Sequence, residues 1–343
     1  MGTIRDYIKW RGDITFSQDR FNTVDNIILS CISYVEMDDV FRNDRSKEVS
    51  IKDIGDACTD FDGKKYRDGS VLTDAPLLLR RIAGTNRFGD IKVREYISLT
   101  DTKRTLQFAA MEFVLPDGTS YVAYRGTDDT LVGWKEDFML ALHETEAERE
   151  AAEYLEGVAS KSSRPLRIGG HSKGGHLAVF AAANCSNRVI DRICGIYSND
   201  GPGFTDAAAS GDAIQRIIPK VISIIPEESI VGLLMMPVKE PIVVRSNAKS
   251  VHQHNPATWC IEGKDLVSTG KVSKKSRILD KIIKENVSRM TPDQLDEFVE
   301  DLFAVFESTG ASTFSEIKKG GLASLKLMAR SIGQGILEKE ISQ

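Results

Sequence analysis

Residues 167–184 read RIGGHSKGGHLAVFAAAN, so Ser172 stands between Gly170 and Gly174 in a GxSxG spacing. That spacing suits a nucleophile. A strand that turns sharply into a helix holds the residue at its apex in a strained backbone conformation, and flanking glycines remove the side chains that would obstruct the turn. The helix that follows aims unpaired N–H groups and its positive dipole end at the turn, which favours negative charge developing beside the serine. A serine placed there can attack a carbonyl. The same residues would also make a plain turn, so the surroundings matter. The apolar run 166–168 suits a buried strand, and the small, apolar run 177–184 suits a buried helix.

A serine nucleophile needs a base, normally histidine, oriented by a carboxylate. Of the five histidines, His171 adjoins Ser172 and cannot easily fold back onto its hydroxyl, His176 lies on the following helix, and His143 lies upstream of the elbow. His252 and His254 remain, in the polar loop SVHQHNPATW. In the chain order nucleophile, acid, histidine, the histidine comes late, as these do. His254 is preferred, because Asn255-Pro256 signals a turn that would hold its ring against the elbow. The acid should follow a strand between Ser172 and the histidine. Asp200, in SNDGPGF, meets that condition, although aspartate is also a common turn residue. Glu227 and Glu228, in PEESIVG, meet it one strand later, and the residues alone do not decide between these and Asp200. An oxyanion needs two donors aimed at one point. The backbone N–H of Lys173 supplies one, and Thr127, in the loop YRGTDD, offers an N–H and a hydroxyl for the other.

These residues need a sheet to carry them. Thr23 caps an early helix with Val24, Ile27, Ile28, Cys31 and Ile32 at helical spacing, and residues 36–75 read as acidic and irregular. Segments 107–115 and 119–124, joined by Pro116-Asp117-Gly118, predict a β-hairpin. A helix should start near Thr145, which stands at capping-box spacing from Glu148. Further strands are expected at 166–168, 194–198, 221–225 and 242–245. The alternation of strands and helices predicts an α/β class, a mostly parallel sheet covered on both faces, with chemistry at its carboxyl edge. Beyond residue 264 the pattern turns helical. Thr291 and Gln294 form a capping box ahead of the stripe Leu295, Phe298, Val299, Leu302, Phe303 and Phe306. Residues 1–265 are therefore expected to form the main domain and 266–343 a helical appendage docked on it.

Composition narrows the classes. The 343-residue chain is 41% hydrophobic and 28% charged, ample for a large core, and its net charge of −5 provides no general basic field for nucleic acid. The cluster KVSKKSR at 271–277 reads as a solvated helix start. Five scattered cysteines without CxxC spacing argue against a disulfide framework and a zinc site. The opening MGTIRDYIKWRGDITF lacks the apolar region of a secretory signal, so a cytoplasmic location is expected. No apolar run is long enough to span a bilayer. The longest, IVGLLMMPV at 230–238, is expected to be core helix, with transient contact to a membrane surface left open.

Several separated segments agree with one family. YRGT at 124–127, followed by Trp134 and Asp137, and GHSKGG at 170–175 resemble the class 3 lipases of the α/β-hydrolase fold. Residues 15–37, 197–204, 226–234, 253–259 and 298–317 more closely resemble the Mbeg1-like proteins, a bacterial group of lipase-like hydrolases. The resemblance implies a serine hydrolase acting on carboxylic esters, lipids among them, with no metal or organic cofactor. It supports Ser172 as nucleophile, Thr127 and Lys173 as oxyanion donors and His254 as base. The acid of class 3 lipases aligns most simply with Ser229, which is not acidic, so Asp200 stands first and Glu228 second. Lys173 replaces an apolar residue usual in lipases. A second reading keeps the fold but makes the protein a catalytically silent binding or scaffold module.

Overall fold

The computed structural model describes residues 1–57, 71–127, 140, 144–274, 276 and 277. The chain opens with helices α1 (Ile4–Arg11), α2 (Thr23–Ile32) and α3 (Asp38–Phe41), the short strand β1 (Val49–Ser50), and helices α4 (Ile51–Ala57) and α5 (Val71–Ala83). Strands β2 (Lys92–Asp101), β3 (Leu106–Val114) and β4 (Ser120–Tyr124) follow, then α6 (Glu146–Lys161), β5 (Leu166–His171) and α7 (Lys173–Asn184). After α8 (Asn187–Arg192) come β6 (Ile193–Asn199), α9 (Asp206–Ser210), α10 (Asp212–Gln215), β7 (Val221–Pro226) and β8 (Ile242–Val244). A small ribbon of β9 (Ile261–Glu262) and β10 (Asp265–Leu266) lies outside the main sheet.

The main sheet runs in order from β1 to β8. Pairings from β1 to β4 are antiparallel, and every pairing from β4 to β8 is parallel. The period of two along a strand sends alternate side chains to opposite faces. Met111, Phe113, Tyr121 and Ala123 thus join a core with α1, α2 and α5, while Phe108, Ala110, Val122 and Tyr124 join one with α6 and α7. Helices cover both faces, and the parallel half delivers its carboxyl ends to one edge.

The expected hairpin, the helix after Thr145 and the later strands all form. Glu148 and Thr145 close the capping box that starts α6. The cap of α2 is Asn22 rather than Thr23; its side chain accepts from the N–H groups of Val24 and Asp25. Strand β2 was not foreseen, and α3, β1 and α4 lie where the sequence reads as irregular. Segment 230–238 is not a core helix. It holds one 3₁₀ turn, Val231–Leu233, then a bridge from Met236 to Phe204, with Met236 exposed. Proline at 237 supplies no N–H to continue a helix. Of the expected appendage, 266–343, the part beyond residue 277 lies outside the described residues. Among the described residues, Cys31, Cys185, Cys194 and Cys260 are free thiols, and no helix is long and apolar enough to cross a membrane.

One buried ion pair ties the N-terminal segment to α2. The Arg87 guanidinium donates to both carboxylate oxygens of Asp25, from Nε at 2.8 Å and Nη2 at 2.6 Å, with both side chains fully buried. Its remaining N–H groups reach the carbonyls of Ile14 and Asp19 at 3.0 Å and of Arg20 at 3.2 Å, and it lies 4.3 Å from the Phe16 ring centroid. Tyr7 donates to Asp25 at 2.9 Å. Beside that carboxylate and out of water, the phenol of Tyr7 is held well above its ordinary range. The carbonyls of Ile14, Asp19 and Arg20 belong to the loop between α1 and α2, which has no ladder of its own.

Removing Arg87 strands a buried carboxylate, so Arg87→Ala should lose about 3–5 kcal/mol of stability, measured by urea unfolding. Arg42→Ala, which breaks an exposed pair with Asp39, should leave the midpoint in place.

Candidate active site

Strand β5 ends at His171, and Ser172 turns the chain into α7 with φ 57° and ψ −133°. Serine pays a steric cost at such a φ, so the conformation must be held from outside. Its N–H donates to the Asn199 carbonyl on β6 at 3.0 Å, and its carbonyl accepts from Gly175 at 2.8 Å. Packing completes the hold. A Cβ at Gly174 would lie 2.2 Å from the Tyr124 carbonyl oxygen, so only glycine lets the first turn of α7 sit this close to β4. Because α7 starts directly after Ser172, the positive end of its dipole faces the region of the serine.

The base and acid of the sequence reading meet. His254 Nδ1 lies 2.7 Å from Asp200 Oδ2, with the carboxylate buried and the imidazole side chain 31% exposed. Asp200 follows β6 directly, at φ 52°, and its N–H donates to the Ile224 carbonyl at 2.7 Å. Its second oxygen is occupied too: Oδ1 accepts from the Ser229 hydroxyl at 2.5 Å and the Gly232 N–H at 3.2 Å. An aspartate so held leaves one oxygen for the histidine. The imidazole of His254 lies against that of His171, the residue before the serine, with ring centroids 4.4 Å apart.

The loop expected to supply the second oxyanion donor also reaches the elbow. A Cβ at Gly126 would lie 3.2 Å from the Cβ of Ser172 and 2.5 Å from the His171 carbonyl oxygen, so the backbone preceding Thr127 is pressed onto the serine. Lys173 begins α7, and its side chain is buried away from this face, donating from Nζ to the carbonyl and side-chain oxygens of Gln107 at 2.9 and 3.2 Å. Its charge is directed into β3 rather than into an acyl site. Glu228 is engaged with Gln253: its N–H donates to Gln253 Oε1 at 2.9 Å. His252 is exposed. His176 is buried, with Nδ1 donating to the Gly203 carbonyl and Nε2 against Glu148, both at 2.9 Å. His143, Trp134 and Asp137 lie outside the described residues.

Three site residues escaped the sequence reading. Ser229 bonds Asp200, His171 lies against His254, and Tyr34 bonds His171. His171 Nε2 lies 2.7 Å from the His254 carbonyl oxygen and Nδ1 lies 2.9 Å from the Tyr34 hydroxyl. A carbonyl only accepts, so Nε2 carries the proton and Nδ1 accepts from Tyr34. Burial, together with any charge on His254, pushes His171 well below its ordinary pKa of 6.5. No side-chain pattern in the sequence links Tyr34 to an elbow 137 residues away.

A sheet of this order, helix-covered on both faces, with a strand–serine–helix elbow at its carboxyl edge, is an α/β-hydrolase fold. Residues 82–304 match the model of the Mbeg1-like family, more than half of the chain, and the chain belongs to that family. Among solved structures, the native Rhizomucor miehei lipase propeptide complex is 14% identical, over 72% of this chain and 80% of that one, with a TM-score of 0.40. The crystal structure of M37 lipase is also 14% identical, over 60% and 68%, with a TM-score of 0.32. No curated protein matches the chain significantly.

His171 gives the folded state a pH dependence of known sign. Neutral when folded, it takes up a proton near pH 6.5 only on unfolding, so the unfolded chain binds more protons below that pH. Stability is complete above about pH 6.5 and falls on acidification, by up to about 1.4 kcal/mol per pH unit from this group. The difference in unfolding free energy between the parent and His171→Gln, measured from pH 7.5 to 5, should narrow in that direction.

Proposed function

We propose that the protein is a serine hydrolase of carboxylic esters, of the lipase or esterase type, with Ser172 as nucleophile, His254 as base and Asp200 as acid. The observation that carries the reading is the 2.7 Å contact between His254 Nδ1 and the buried Asp200, made by a ring lying against the elbow. Family membership supports the same chemistry. Asp200 fixes the tautomer with the proton on Nδ1, which leaves the Nε2 lone pair to take the serine proton. Ser172 Oγ attacks the ester carbonyl, and the N–H of Lys173 with the N–H and hydroxyl of Thr127 receives the oxyanion. Collapse expels the alcohol, which takes the proton from His254 Nε2 and leaves an acyl-serine. Water, deprotonated by the same nitrogen, then releases the carboxylic acid. This sequence needs no metal and no organic cofactor. A small ester or a lipid at a surface fits the reading, and the fold itself places no limit on the acyl chain.

The test is labelling by a fluorophosphonate probe alongside hydrolysis of p-nitrophenyl esters of graded chain length. The parent should label and turn over; Ser172→Ala should do neither. Asp200→Asn should lower kcat by roughly 10³–10⁴-fold, while Glu228→Gln should stay within about threefold of the parent. A folded parent that neither labels nor hydrolyses any ester, with detergent present to expose the site, would replace this reading with a binding role.

A further inference from the structure

We propose that Tyr34 and His171 are a positioning pair that fixes the base by its backbone and its ring together. The inference rests on the hydrolase reading for its catalytic meaning, but its geometry is independent of turnover. His254 closes a short 3₁₀ turn, Ser250–His254, which has little regular structure to hold it. His171 grips it twice, through Nε2–H to the main-chain carbonyl at 2.7 Å and through ring contact at 4.4 Å. The first contact exists only in the Nε2–H tautomer. Tyr34 selects that tautomer by donating to Nδ1 at 2.9 Å.

The tyrosine hydroxyl does a second task. A Cβ at Gly126 would lie 2.1 Å from it, so the hydroxyl rests on the backbone that leads to Thr127. It also lies 3.3 Å from the His171 carbonyl oxygen, at the elbow itself. One phenol from the segment after α2 therefore touches the oxyanion loop and the elbow, and through His171 it sets the loop of the base. His171 must also stay neutral for the chemistry to run. When His254 takes the serine proton it becomes a cation, and a second imidazolium 4.4 Å away would oppose that step. Burial of His171 removes the competitor.

Replacements separate positioning from mere packing. In His171→Gln the amide nitrogen falls near the place of Nε2 and keeps the bond to the His254 carbonyl. In His171→Asn the amide falls near Nδ1 and cannot reach it. Tyr34→Phe removes only the hydroxyl. Active sites are counted by fluorophosphonate titration, kcat and KM are measured on p-nitrophenyl butyrate per titrated site, and the downfield proton between His254 and Asp200 is followed by ¹H NMR. His171→Asn should lower kcat by about 10- to 100-fold with KM little changed, because a base displaced by about 1 Å costs on that order. Its downfield resonance should broaden or vanish. His171→Gln should recover most of both, and Tyr34→Phe should fall between. A His171→Asn protein with parental kcat and resonance overturns the proposal. If that variant does not fold, Tyr34→Phe decides by the same two readouts. A folded parent that hydrolyses nothing defeats the hydrolase reading alone; the resonance, kept in the parent and lost in the variant, still upholds the positioning pair, and its retention overturns it.

Discussion

The left-handed backbone of Ser172 is the constraint on which the other parts depend. A non-glycine residue at φ 57° gives up free energy of roughly 1–2 kcal/mol, and its neighbours must return it through contacts available only in that conformation. The Ser172 N–H finds the Asn199 carbonyl, and the helix after it settles against β4 at a distance that only Gly174 permits. Relaxing φ would break the first contact and lift the helix from the second. The strain is thus held by the sheet, and the side chain is presented at the edge where parallel strands end.

Asn199 extends that hold to the other face. Its side-chain amide donates to Gly170 at 2.9 Å, Ser30 at 3.0 Å and Asn26 at 3.2 Å, and its side-chain oxygen accepts from Asn26 at 2.9 Å. Tyr121 on β4 donates to Asn26 at 2.6 Å. A network of this kind is favourable only when each member is paired, and then it specifies one arrangement. It fixes α2 against β5 and β6. The same helix is tied at its start by Asp25 to Arg87, and the chain beyond its end supplies Tyr34. The N-terminal helices are therefore part of the apparatus that places the elbow, the loop at Gly126 and the histidine loop.

Different parts of this arrangement were legible to different degrees. The elbow could be read because its demands are local: glycines where the turn crowds, an apolar strand before it and a small-residue helix after it. Asp200 and His254 could be read as candidates because chain order and strand ends restrict where an acid and a base can stand. Residue type does not separate Asp200 from Glu228, since both follow strands; in space the Asp200 carboxylate lies against His254, while the Glu228 N–H donates to Gln253. Strand β2 was missed because Lys92, Arg94 and Glu95 obscure its alternation, and Arg94 is accommodated by pairing with Glu112, opposite it on β3, and with Glu48. Segment 230–238 misleads for the opposite reason: its apolar residues suit a helix, but its backbone is used to bridge Phe204 and to orient Asp200.

The orientation of Asp200 shows why residues from several strand ends are needed at one point. A carboxylate free to rotate would present either oxygen to the histidine, which would select the same tautomer but leave the ring's position unfixed. Here Ser229 and Gly232, both beyond β7, hold Oδ1, and the turn after β6 holds the backbone, so Oδ2 alone faces His254. His254 arrives after β8 and is met from below by His171 at the end of β5. The histidine is then restrained on both sides, by a carboxylate at Nδ1 and by a neutral imidazole beneath its ring. A ring restrained in that way has one open nitrogen, and its direction is set by four strand ends rather than by the short turn that carries it.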